Sequence, residues 1–232
     1  MVEELDLPNS GNEQTEAGKT ERFKPLKESE VSVLSLEQLK QYAYEATAAY
    51  QELVVIKTEL EDIASHDDLT HIFNRRGIIT ELTRLINNDT TFTLLYMDLG
   101  NFKDINEAYG HLAGDIVLKT FAQEVVSKST KRPTDTHGRL GGDEFIIILP
   151  ESEIKGGAKV EDRLKRQLNR VKKEYRGEKH MEKVIPDVGI TQYKAGSGES
   201  LESVLQRGDD LMKENKRKRK IQSGISLKRM GD

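Results

Sequence analysis

The sequence predicts an α+β domain, with helices covering a mostly antiparallel sheet and one long helix ahead of it. Three observations carry this reading. Apolar, strand-like runs at 91–99, 145–149 and 184–191 are interleaved with helical stretches in the order β-α-β-β-α-β-α. The Gly141–Gly142 pair is a turn signal directly before one of those runs, because two successive glycines can take positive φ without a Cβ clash. Ahead of the first strand stand four heptads of small and apolar residues.

The elements follow in order. Residues 1–34 are polar, with scattered apolar residues and no period, and read as a disordered or weakly ordered tail. Ser35 opens a helix over 35–65, and Gln38 three residues on completes a capping box. Along it Leu39, Ala46, Leu53 and Leu60 recur every seven residues, with Tyr42, Ala49, Ile56 and Ile63 three places after each. That is a coiled-coil seam, and it favours a self-associating stalk over a helix packed on its own domain. The globular part spans 66–220, followed by a tail over 221–232. Within it lie the strand 91–99, a helical period at 116–126, the Gly-Gly hairpin, a polar helix near 159–173, the strand 184–191 and a last helix over 201–215.

Composition limits the function. With 232 residues, 35% hydrophobic, the chain can build one domain with a real core plus extra segments. It has no cysteine, which excludes disulfides and thiolate metal sites and suits a reducing cytoplasm. No apolar run is long enough to span a membrane. A net charge of −4 argues against wholesale nucleic-acid binding.

The chemistry concentrates in two segments. The turn presents Asp143 and Glu144 at the rim of the sheet, and Asp98 ends the first strand. If the two strands neighbour each other, three carboxylates meet, and their repulsion calls for a cation such as Mg²⁺. The loop after that strand, Asp98 to Asp115, offers exposed amides and Lys103 for phosphates. Asn106 and Asp115 can read a base edge, since an amide donates and accepts and a carboxylate accepts from amine and imide. His111, between Gly110 and Leu112, reads as structural rather than catalytic. Six of the eight residues 213–220 are basic, which suits a helix C-terminus.

These segments resemble the GGDEF-domain diguanylate cyclases. Asp67-Asp68-Leu69-Thr70-His71-Ile72-Phe73-Asn74-Arg75-Arg76 is similar to that family's opening motif. Phe102-Lys103, Asn106, Gly110-His111 and Gly114-Asp115 are similar to its nucleotide segment, and Gly141 to Phe145 to its signature. The resemblance covers about residues 65–220 and implies a fold like nucleotidyl cyclases and polymerase palms. It implies condensation of two GTP molecules to cyclic di-GMP and two pyrophosphates across a homodimer, with two Mg²⁺ (or Mn²⁺) per active site. By the same resemblance Asp98, the Leu99 carbonyl and Asp143 hold metal, with Glu144 a second ligand or a base. Asn106 and Asp115 bind guanine, while the Phe102 amide, Lys103, Lys216 and Lys220 face phosphates. Arg132-Pro133-Thr134-Asp135 sits at the offset of the family's R-x-x-D inhibitory product site, so Arg132 and Asp135 are expected to bind cyclic di-GMP.

The chain departs from the family pattern at several positions. Gly100 stands where a second acid is usual, and Glu107 stands for Asp. Asp187-Val188-Gly189 replaces Ser-Ile-Gly, Lys213 an aromatic, and Lys220 an arginine, which keeps the charge but loses the bidentate fork. None removes a residue assigned to metal or guanine, which favours an active enzyme. The alternative is a module that binds cyclic di-GMP without turnover.

Overall fold

The computed structural model describes residues 34–229, so nearly all of the expected polar tail lies outside the described residues. Contacts divide the chain into two units, one ending at Asp62 and one beginning at Ile63.

The first unit is dominated by helix α1 (Leu36–Ser65). Its capping box forms as the sequence suggests. The Ser35 N–H donates to Gln38 Oε1 at 2.9 Å, and the Gln38 N–H donates to Ser35 Oγ at 3.3 Å. Leu53 and Leu60 of the heptad seam leave 54% and 61% of their surface open.

The second unit is the α+β domain. Helix α2 (Arg75–Asn87) is capped by Asn74, whose side chain accepts from the Gly77 N–H at 3.0 Å. The sheet comprises β1 (Phe92–Gly100), β2 (Thr136–Gly141), β3 (Glu144–Pro150) and β4 (Ile185–Tyr193). Its order is β2-β3-β1-β4, with every neighbouring pair antiparallel. Between β1 and β2 run α3 (Phe102–Tyr109) and α4 (His111–Thr120), the latter continuing as a π-helical stretch over Phe121–Val126. Helices α5 (Ile154–Glu174) and α6 (Lys179–Glu182) lead to β4, and α7 (Leu201–Arg229) closes the domain.

Strand β1 is apolar on both faces because both faces are covered. Leu95, Met97 and Leu99 join Val117, Phe121, Val160 and Leu164 from α4, the π-helical stretch and α5. Phe92, Leu94 and Tyr96 join Ile78 and Leu82 of α2 with Val204 and Met212 of α7. The period-two alternation therefore aims Asp98, like Tyr96, at the α7 face.

Two boundaries differ from expectation. The helix expected at 116–126 is α-helical only to Thr120, then widens to π, with the Ser127 hydroxyl donating to the Ala122 carbonyl at 2.9 Å. The last helix, expected to stop at 215, runs to Arg229. Its extension lacks proline, and the i,i+4 pair Lys218–Glu214 at 2.7 Å spans its start.

Candidate functional site

The Gly141–Gly142 turn determines where the acids stand. Gly142 has φ 54°, a left-handed conformation that turns the chain between β2 and β3 without a Cβ penalty. The β1–β3 register then sets Asp98 directly across from Glu144. The Leu99 N–H donates to the Asp143 carbonyl at 3.1 Å, which pins the turn to the end of β1. Asp98, Leu99, Asp143 and Glu144 thus share one sheet end, as the expected strand order requires.

The acids feel one another. Burial, then the charge of Asp98, raises the Asp143 carboxyl above its ordinary range. Glu144 is raised too, first by burial, then by Asp209, Asp143 and Asp98, against the lowering effect of a hydrogen bond from Tyr96. The Tyr96 hydroxyl is pushed well up by burial and by the Glu144 charge. Among the described residues, however, no three acids or histidines converge closely enough to hold a metal by themselves. Lys216 donates to Asp98 Oδ1 at 2.6 Å and neutralises it. That arrangement suits Mg²⁺, which takes one or two carboxylates and draws its other oxygens from water and substrate phosphates.

The nucleotide segment is built on the next two helices. Phe102 and Lys103 begin α3, whose N-terminal amides favour an anion. Lys103 is exposed, 3.6 Å from Glu107. Asn106 carries the clearest binding signal: its Oδ1 is buried and accepts no hydrogen bond. It lies against Gly114, where an added Cβ would strike that same oxygen. A buried carbonyl without a donor is costly, and a ligand N–H would satisfy it. Asp115 follows Gly114 on α4 and is half-buried, next in sequence to the glycine that Asn106 packs against. His111 is exposed at the first position of α4. Lys216 and Lys220 are separated: Lys216 is on Asp98, whereas Lys220 points to solvent.

Arg132 and Asp135 are brought together, on each other. Arg132 Nε donates to Asp135 Oδ1 at 2.8 Å, and its Nη2 to the Pro150 carbonyl at 3.0 Å. The Asp135 side chain is only 2% exposed. A ligand at this pair must open it.

Four residues that sequence reasoning left without a role act here. Arg139 donates to both oxygens of Asp67 at 3.1 and 3.2 Å, and to the Gly142 carbonyl at 2.9 Å, tying the opening motif to the turn. Asp67 also accepts from the Thr70 hydroxyl at 2.6 Å. Asp67 lies in the quoted opening motif and Arg139 two residues ahead of the Gly-Gly turn, but no spacing links positions 72 residues apart. Tyr96 holds Glu144. Asp187, noted only as a departure, forms a two-armed ion pair with Arg219.

Comparison with known proteins bears on this geometry. The family model described as diguanylate cyclase, GGDEF domain, matches residues 64–222. Diguanylate cyclase A of Treponema denticola is 31% identical over 179 residues, 74% of this chain and 47% of that protein. The bifunctional diguanylate cyclase/cyclic di-GMP phosphodiesterase MucR of Pseudomonas aeruginosa is 32% identical over 158 residues, 66% of this chain and 22% of that protein. The chain thus spans about half the length of one relative and about a fifth of the other. Among solved structures, the coiled coil and GGDEF domain of DgcB from Caulobacter crescentus, in complex with c-di-GMP, superposes with a TM-score of 0.62 at 25% identity, covering 77% of this chain and 94% of that one. Diguanylate cyclase SiaD of P. aeruginosa, with a TM-score of 0.61 at 24% identity over 79% of this chain and 70% of that one, shares the fold. With the match spanning the whole sheet and both segments of the site, the chain belongs to the GGDEF diguanylate cyclase domain family.

Proposed function

We propose that this chain condenses two GTP molecules into cyclic di-GMP, releasing two pyrophosphates, at a site completed by a second copy of itself. The observation that carries the reading is the shared end of β1 and β3, where Asp98, Asp143 and Glu144 stand together with their charge only partly neutralised. The orphaned Asn106 oxygen supports a purine ligand beside it.

The residues present fit Mg²⁺ (or Mn²⁺): hard oxygens from Asp98, the Leu99 carbonyl, Asp143 and Glu144 would hold it, two ions per site. When bound, the metal supplies charge neutralisation for the triphosphate and acidifies the attacking hydroxyl. The protein supplies position and charge. Asn106 accepts from the guanine, and Asp115 accepts from its amine and imide. The Phe102 amide, Lys103 and Lys216 face the phosphates, Lys216 being drawn off Asp98 by the triphosphate. The 3′ oxygen of one GTP attacks the α-phosphorus of the other, the bond to the bridging oxygen breaks, and pyrophosphate leaves. Glu144 serves either as a second metal ligand or as the base that takes the hydroxyl proton. Repeating the step in the other direction closes the ring.

The test is direct. Purified protein with Mg²⁺ and GTP is expected to release one pyrophosphate per GTP and form cyclic di-GMP. A folded, dimeric sample that makes none overturns the reading. If such a sample still binds cyclic di-GMP through Arg132 and Asp135, the chain is an effector module instead.

Two further expectations arise here. Product inhibition is assigned to Arg132 and Asp135, because an opened guanidinium fork suits phosphate or the guanine edge. Arg132→Ala is expected to raise the half-inhibitory concentration of cyclic di-GMP roughly 30-fold, about 2 kcal/mol of charge-assisted bonding. Inhibition curves at fixed GTP check it. For the stalk, a second copy is the expected occupant of the open α1 seam. Leu53→Lys places a charge in that seam and is expected to cut turnover by about tenfold at micromolar protein while the domain stays folded. Light scattering and turnover measured together decide: unchanged mass with unchanged turnover removes the stalk from the mechanism.

A further inference from the structure

Strands β1 and β4 pair with Asp98 directly opposite Asp187. Like charges facing each other across a ladder repel. Helix α7 answers with two cations three residues apart on one face. Lys216 holds Asp98 at 2.6 Å, and Arg219 holds the two oxygens of Asp187 at 2.7 and 2.8 Å. The two pairs differ in kind. Asp187 keeps 3% of its side chain exposed and is gripped by a planar fork, which fixes direction as well as distance. Asp98 and Lys216 keep 14% and 30% exposed and share a single bond to a point charge, which can turn to another anion.

Gly100 completes the arrangement. A Cβ there would lie 2.6 Å from Arg219 Nη2 and 3.0 Å from Asp187 Oδ2. The room beside the end of β1 is therefore taken by the Asp187–Arg219 pair. Nearer the start of α7, Asn215 donates to the Val188 carbonyl at 2.8 Å, so the helix is tied to β4 on both sides of Lys216.

We infer that Asp187 and Arg219 form a positioning pair that holds α7 so that Lys216 stands over Asp98. The acid sits on β4 and serves the space that a β1 side chain at position 100 would otherwise fill. The identity of the anion that Lys216 receives rests on the cyclase reading; the positioning does not.

The proposal makes the effects of substitutions at 100 and 187 depend on each other. Asp187→Ser leaves Arg219 without its buried partner. Gly100→Asp alone crowds a second carboxylate against Asp187. Together they give Arg219 a new acid in vacated space, so the double variant is expected to recover what each single variant loses. Arg219→Lys keeps the charge and loses the fork, and it provides a milder probe should Asp187→Ser fail to fold.

The experiment measures KM and kcat for GTP with Mg²⁺, together with hydrogen exchange of the amides over 212–220, for the native protein and these four variants. Arg219→Lys and Asp187→Ser are expected to raise KM roughly tenfold, the worth of one charge-assisted bond, with kcat within about twofold. Their 212–220 amides exchange faster, and the double variant returns both quantities to within about threefold of native, the residual allowed for neighbouring, coupled sites. A double variant no better than Asp187→Ser, or Arg219→Lys with native KM and native exchange, overturns the pair. Native protein that makes no cyclic di-GMP overturns the cyclase reading instead, while amide exchange still decides the positioning.

Discussion

Asp143→Asn is expected to cut cyclic di-GMP formation roughly 10²–10³-fold, the size that follows loss of one preorganised charge-stabilising group. In the metal-free protein the same change is expected to raise the melting temperature by about 2–4 °C, the shift that 1 kcal/mol produces in a domain of this size. The two effects have one cause. Asp143 is held beside Asp98 and partly removed from water, and its carboxyl is raised accordingly. The folded chain therefore works against this charge, and an uncharged isostere relieves it. Calorimetric melting in the presence of a chelator, paired with a turnover assay, checks both halves. A variant that is inactive and also less stable would mean that the Asp143 charge supports the metal-free fold.

The pH dependence has the same sign. A carboxyl whose folded pKa lies above its unfolded value takes up its proton first in the folded state. Between the two values the folded chain binds more protons, so stability gained from Asp143 and Glu144 rises as pH falls through the folded pKa and is complete below the unfolded one. Metal binding runs the other way, because it needs both groups ionised. Mg²⁺ affinity is expected to weaken on acidification at a higher pH than ordinary aspartates would give, and titrations across the acid range check this.

Much of this was legible in the chain, for reasons that differ by element. The Gly141–Gly142 turn and the apolar run after it could be read because turn chemistry and burial are local. The capping box at Ser35 and Gln38 is local too, and both of its hydrogen bonds form. That Asp98 neighbours the turn followed only from a guess at strand order, and the β1–β3 register bears it out. Residues whose partners lie far away in sequence stayed silent. Arg139 needs Asp67, and Asp187 needs Arg219, and in each case the pairing exists only once the sheet has brought distant segments together. The gathering of three free carboxylates was expected too simply, because a cation on the neighbouring basic helix, Lys216, already neutralises Asp98. The end of the last helix was misplaced for a local reason: a run of lysine and arginine reads as a solvated terminus, yet those residues are good helix formers.

Gly189→Ala is expected to be among the most damaging single changes, although it adds one methyl group. Gly189 lies in β4 with no left-handed backbone, so alanine meets no conformational penalty there. The cost is spatial. An added Cβ would strike the Gly208 carbonyl and the Met212 N–H, both backbone atoms of α7. A side chain in the way could rotate aside; a helix backbone must move as a body. The expected loss is about 3 kcal/mol, at the upper end for overpacking, or about 6–10 °C in melting temperature. Gly142→Ala makes the contrasting control, since nothing lies within 4 Å of its Cβ and only its φ of 54° is unfavourable. That change should cost about 1–2 kcal/mol, the usual penalty for a left-handed residue. Function separates the two further. Moving α7 carries Lys216 away from Asp98, so Gly189→Ala protein that remains folded at low temperature should show a raised KM for GTP. Gly189→Ala melting within about 2 °C of native, with native KM, would mean that α7 has more freedom above β4 than the contact at Gly208 allows.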